Sequence, residues 1–181
     1  MGGSVKKLIG LILSTLFLGN LAYAGILIEP YLGYEVGGLK QTGTSNIDFK
    51  GVYYGARLGY RFLGLKIGAD LLKGSEQAEQ DGDKGDYNLT DIGAFVGYEF
   101  PAILQVYANY FVSSKAKIDP ESTPEDFSGN GLRFGVGWTG LPYLSINLEA
   151  IYRTYTKYNN VALVDNLKAS SYGVSISVPL P

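Results

Sequence analysis

The chain has 181 residues, 17 acidic against 15 basic, and contains neither cysteine nor histidine. The missing cysteine excludes disulfides, thiolate nucleophiles and cysteine metal sites, and the missing histidine removes the commonest general base and metal ligand. Glycine (25) and tyrosine (15) are abundant while only 18% of residues are charged, a profile that points to a single all-β unit with no stretch basic enough to bind nucleic acid.

Residues 1–24 read as an export signal. Lys6 and Lys7 precede the apolar run Leu8 to Leu18, and Ala22-Tyr23-Ala24 supplies the small-x-small ending of a signal-peptidase site. The run falls short of the ~20 residues of a spanning helix. The segment is therefore expected to be a signal peptide cleaved after Ala24, leaving 25–181 as the mature domain. Loss of the two lysines leaves 13 basic against 17 acidic residues, a net charge near −4.

From Ile26 onward the sequence alternates apolar and polar residues in eight successive runs, the period-two signature of strands. The first sets Ile26, Ile28, Pro30, Leu32, Tyr34 and Val36 against Glu29, Tyr31, Gly33 and Glu35. The second sets Val52, Tyr54, Ala56, Leu58, Tyr60 and Phe62 against Tyr53, Gly55, Arg57, Gly59 and Arg61. After a Leu63-Gly64 turn, Leu65, Ile67, Ala69 and Leu71 alternate with Lys66, Gly68 and Asp70. The fourth run places Ile92, Ala94, Val96, Tyr98 and Phe100 opposite Asp91, Gly93, Phe95, Gly97 and Glu99, and Pro101, which cannot donate to a ladder, ends it.

The fifth run alternates Leu104, Val106, Ala108, Tyr110 and Val112 with Gln105, Tyr107, Asn109 and Phe111. The sixth alternates Leu132, Phe134, Val136 and Trp138 with Arg133, Gly135 and Gly137. In the seventh, Leu144, Ile146, Leu148, Ala150 and Tyr152 oppose Ser145, Asn147, Glu149, Ile151 and Arg153. In the eighth, Tyr172, Val174, Ile176, Val178 and Leu180 oppose Gly173, Ser175 and Ser177.

Runs of about ten residues suit a tilted strand crossing a bilayer, where ~9–11 are needed, and exceed the soluble average of ~5–6. Connections 63–64, 101–103 and 140–143 are short, whereas 37–51, 72–88, 113–130 and 154–170 are long and polar. That plan matches periplasmic turns and outer loops, with both termini periplasmic and an even strand number that lets the first strand close on the last. The apolar face carries no charge. Its aromatic residues fall at the run ends, Tyr60, Phe62, Tyr98, Phe100 and Trp138 toward the short turns and Tyr34, Tyr54, Tyr110, Tyr152 and Tyr172 toward the long loops, as in interfacial girdles. A soluble barrel turned apolar-inward would share the alternation but not the girdles. The expected fold is an all-β, eight-stranded antiparallel up-and-down transmembrane β-barrel in contact with outer-membrane lipids.

The strand endings Gly59-Tyr60-Arg61-Phe62 and Gly97-Tyr98-Glu99-Phe100, with the opening Glu29-Pro30-Tyr31-Leu32-Gly33-Tyr34, resemble the porin-like bacterial outer-membrane β-barrel superfamily, in particular small eight-stranded barrels of the OmpA/OmpX transmembrane-domain type. The resemblance implies a Gram-negative cell envelope. In the last run Ser171, Gly173, Ile176 and Val178 resemble that superfamily's assembly signal, which implies handling by the barrel-assembly machinery during biogenesis; the chain departs from it in ending Pro179-Leu180-Pro181 rather than on an aromatic residue. Enzymatic barrels of similar size, such as lipid A acyltransferases, lipid A deacylases and outer-membrane proteases, depend on histidine, so the resemblance implies no enzyme here.

The polar face carries six carboxylates, Glu29, Glu35, Asp70, Asp91, Glu99 and Glu149, and five bases, Arg57, Arg61, Lys66, Arg133 and Arg153. Near balance in a narrow lumen points to an ion-paired interior network, since buried charges are tolerable only when paired. The alternatives are a gate in a narrow channel for small solutes, or an adhesin acting through its outer loops. No cofactor is called for. The acidic segment Ser75 to Tyr87 contains Asp81-Gly82-Asp83-Lys84-Gly85-Asp86, which fails as a calcium loop because glycine holds the fifth position and aspartate the sixth. It is expected to be a solvated acidic loop.

Overall fold

A computed structural model describes residues 24–40, 47–80, 83–101, 103–118, 125–141 and 143–180. The expected signal peptide lies, apart from Ala24, outside the described residues. Among the described residues the chain forms β1 (Gly25–Lys40), β2 (Ile47–Phe62), β3 (Leu65–Gln80), β4 (Asp83–Phe100), β5 (Leu104–Ile118), β6 (Glu125–Leu141), β7 (Leu144–Tyr158) and β8 (Val161–Ser177), each antiparallel to its sequence neighbours, with β1 paired to β8 in a closed barrel. Beyond β8, the amides of Val178 and Leu180 donate to the carbonyls of Pro30 and Ile28, so the chain stays against β1. Closure leaves no strand edge along the paired length.

Seven of the expected runs lie inside a strand with their expected facing, and the eighth runs past the end of β8 at Ser177, leaving Val178 and Leu180 beyond it. Ile26, Leu32, Leu58, Val96, Val136, Leu148 and Val174 point outward and are exposed, while Glu29, Arg57, Asp70, Arg133 and Glu149 on the alternate positions are buried. The outer belt has the composition that hydrocarbon, not water, solvates. The Leu63-Gly64 turn takes positive φ at both residues (50° and 81°), the geometry whose twist matches a two-residue hairpin, and glycine adopts the second value without a Cβ penalty.

The strands run longer than the runs that announced them. Segments 37–51, 72–88, 113–130 and 154–170, expected as long loops, are largely strand: the ladder of β3 and β4 continues to Gln80↔Asp83, and β7 and β8 meet at a second positive-φ pair, Asn159 and Asn160. Alternation persists in these extensions with its phase reversed. On β2 the inward positions become Phe49 and Ile47 while Asp48 and Lys50 face out; on β3 Ala78 turns in while Gln77 and Glu79 face out. Where the barrel leaves the apolar belt its outer face meets water and its inner face must supply the core. That core joins Phe49, Tyr87, Leu89, Phe111, Ala116 and Tyr155, and Leu39, Ile118, Phe127 and Leu167 pack against it.

Candidate functional site

The candidate site is the lumen, built by strand register. Glu29 on β1, Arg57 on β2 and Asp70 on β3 lie directly opposite one another on adjoining strands. Arg57 Nη1 donates to Glu29 Oε1 at 2.8 Å, and Arg57 Nη2 crosses the lumen to Glu149 Oε1 on β7 at 3.3 Å. Arg133 from β6 reaches the carboxylate of Asp70 and lies 3.8 Å from Glu149. Tyrosines complete the layer: Tyr31 donates to Asp70 at 2.7 Å, Tyr53 to Glu149 at 2.5 Å, and Tyr107 also to Glu149. The guanidinium of Arg57 stacks 3.9 Å from the Tyr107 ring centroid, a contact that strengthens as water is excluded.

Toward the short turns, Lys66 joins Glu29 at 3.6 Å and Glu99 at 3.0 Å and donates to Gln105 Oε1 at 2.8 Å. Arg61 lies 3.8 Å from Glu99, and these two side chains are only partly buried, 12% and 30% exposed. Gln105 passes the chain on to Asn147, which donates to Ser175 and Ser177.

Toward the hairpins, Arg153 on β7 grips Glu35 on β1 with Nη1 and Nη2, both at 3.1 Å, and donates through Nε to Asp91 on β4 at 3.0 Å. Ser171 and Ser114 each donate to one of these carboxylates at 2.5 Å. The structure thus brings all eleven sequence-derived charges into contact in one interior, nine of them buried and Arg61 and Glu99 at its turn-side rim.

One member was missed. Glu76, expected in a solvated loop, is 2% exposed and accepts a hydrogen bond from Tyr87. Glu79 and Asp86 of the same segment do face solvent. Register explains the burial, because Gly51 lies directly between Glu35 and Glu76 across β1, β2 and β3 and lets the two carboxyl groups approach. The Lys66–Arg57–Arg133 layer matches three bases to Glu29, Asp70 and Glu149, whereas Arg153 alone serves Glu35, Asp91 and Glu76. The Glu76 carboxyl, five residues past Leu71 where the outer belt ends on β3, is held well above the ordinary carboxylate range by burial and by Glu35. The extended alternation of 72–80, with Leu72, Gly74, Glu76 and Ala78 in step with Asp70, was the signal that could have found it.

Two close approaches let aromatic rings fill the space between these charges. A Cβ at Gly33 would strike the ring of Tyr53, and one at Gly135 the ring of Tyr107. Arg57, Arg133, Tyr53 and Phe111 are essentially inaccessible at this level, so side chains occupy the cross-section as expected for eight strands. Among the described residues no cluster of histidine, cysteine or acidic side chains is arranged to hold a metal ion.

Among solved structures, Neisserial surface protein A superposes with a TM-score of 0.61 at 16% identity, covering 84% of this chain and 97% of that one. The fold is that of the small eight-stranded outer-membrane barrels. Ail, the attachment invasion locus protein of Yersinia pestis, shares this barrel fold with a TM-score of 0.59 at 14% identity over 85% of this chain and 98% of its own, and has also been solved with the heparin analogue sucrose octasulfate. No protein-family model and no curated protein sequence matches the chain.

Proposed function

We propose that the chain is a non-enzymatic integral barrel of the bacterial outer membrane, with both termini periplasmic, whose ion-paired interior is a structural plug and whose strand extensions hold surface hairpins outward. The observation that carries the reading is the division of charge: the outward positions of the belt hold none, and charges are enclosed where Arg57, Arg133 and Arg153 each bridge strands that are not neighbours. Lipid contact follows from the first half, and a register-locking plug from the second. Insertion would rest on barrel-assembly machinery. Heat-modifiable gel mobility of the detergent-extracted protein tests the reading, and a soluble, lipid-free periplasmic product would overturn it.

A narrow solute channel is the less favoured reading, because the arginine–tyrosine layer fills the lumen. An adhesive role is favoured by a specific feature: the β7–β8 hairpin carries exposed Val161 and fully exposed Val164 beyond the belt. The description of Ail as an attachment protein agrees with such a use of hairpins on this fold. Replacing residues 161–166 with a Gly-Ser linker and measuring binding of intact cells to host surfaces tests it; unchanged binding removes this reading.

A further inference from the structure

Above Arg153 the barrel encloses a cavity of about 130 Å³. Its lining comes from all eight strands. Four rings, Phe49, Tyr87, Phe127 and Tyr155, stand around it in two edge-to-face pairs, each pair with centroids 6.2 Å apart. Between them Ala78, Ala116 and Ala169 leave the space that larger side chains would fill.

We propose that this vestibule binds a small uncharged apolar molecule, about the size of one substituted benzene ring, entering from the hairpin side. The size follows from volume: an apolar cavity of ~150 Å³ takes up benzene, whereas a lipid acyl chain needs far more length than this pocket offers. The lack of charge follows from the floor. Arg153 lines the cavity, but its guanidinium is already committed to Glu35 and Asp91, with Glu76 as a third carboxyl. An anion would therefore meet an excess of acidic groups, and an ion of either sign would shed its water against a lining with almost no polar surface to replace it. This ligand site goes beyond the structural role proposed above and requires only the closed barrel.

The test is a titration of the refolded protein in lipid nanodiscs with toluene, read by methyl NMR of labelled alanines. The resonances of Ala78, Ala116 and Ala169 should shift and saturate, while those of outward-facing Ala69 and Ala94 should only drift in proportion to toluene dissolved in the bilayer. Ala116→Leu and, separately, Ala169→Leu should abolish the saturable response while keeping heat-modifiable mobility. Titrations with benzoate and benzyltrimethylammonium separate the charge classes. Proportional drift of the vestibule methyls in the unsubstituted protein overturns the proposal, as does saturation surviving in either folded leucine variant, or saturation by either ion at lower concentration than toluene. Such a failure in a folded, heat-modifiable barrel leaves the outer-membrane reading standing.

Discussion

Arg153 and Glu35 are 118 positions apart and sit on strands that do not touch, yet their side chains meet in a two-pronged pair with both contacts at 3.1 Å. β8 lies between their strands, so the pair reaches across the inner face of β8 and ties β7 to β1 at the seam where the barrel closes. The same guanidinium also holds Asp91 on β4.

Arg153→Ala should therefore cost about 3–5 kcal/mol, the range for stripping one partner from a buried pair and leaving carboxylates uncompensated. Urea unfolding of the protein in lipid vesicles measures it. A loss below ~1 kcal/mol would show that water already serves these groups.

Glu76 gives a pH dependence of known sign. Burial and Glu35 raise its folded-state value, and the groups facing it are Glu35 of β1, Tyr87 of β4 and Arg153 and Tyr155 of β7. A raised value means the neutral form contributes stability that is complete below the unfolded value of ~4.3 and is lost as pH climbs through the folded one. Glu76→Gln should match the unsubstituted barrel at pH 4 and exceed it at pH 9; equal stabilities at both would contradict the burial.

The fit of Tyr53 over Gly33 makes Gly33→Val an overpacking change of about 1–3 kcal/mol. The double variant Gly33→Val, Tyr53→Ala should lose less than the two single losses together, because the second change clears the space the first one needs. Additive losses would mean that the ring does not occupy that space.

On the outer face, Leu58→Arg should destabilise by ~2–4 kcal/mol, the cost of a cation near mid-bilayer. Gln77→Arg, on the outward phase of β3 but past Leu71, should stay within about 0.5 kcal/mol. Equal effects at the two sites would contradict the belt boundary drawn at Leu71.

Planar-bilayer recording should detect no reproducible conductance, because Arg57, Arg133 and Tyr107 close the section. Steps that change with Arg57→Gln would instead favour the channel.

Local sequence determined the strands and their facing. Side chains alternate along a strand with period two, so the eleven inward charges beside the apolar belt were legible from their spacing to it, and the Leu63-Gly64 turn alone sets Arg57 opposite Asp70. The pairs Arg153–Glu35 and Arg133–Asp70 were not legible, since they depend on how far successive ladders shear before the barrel closes. Nor was the inverted half of each strand, where the apolar phase moves from outside to inside. Spacing reports that alternation continues through Leu72, Gly74, Glu76 and Ala78, but which solvent each face meets is decided by height along the closed barrel. Only tertiary structure supplies that height, and with it the burial of Glu76 and the cavity above Arg153.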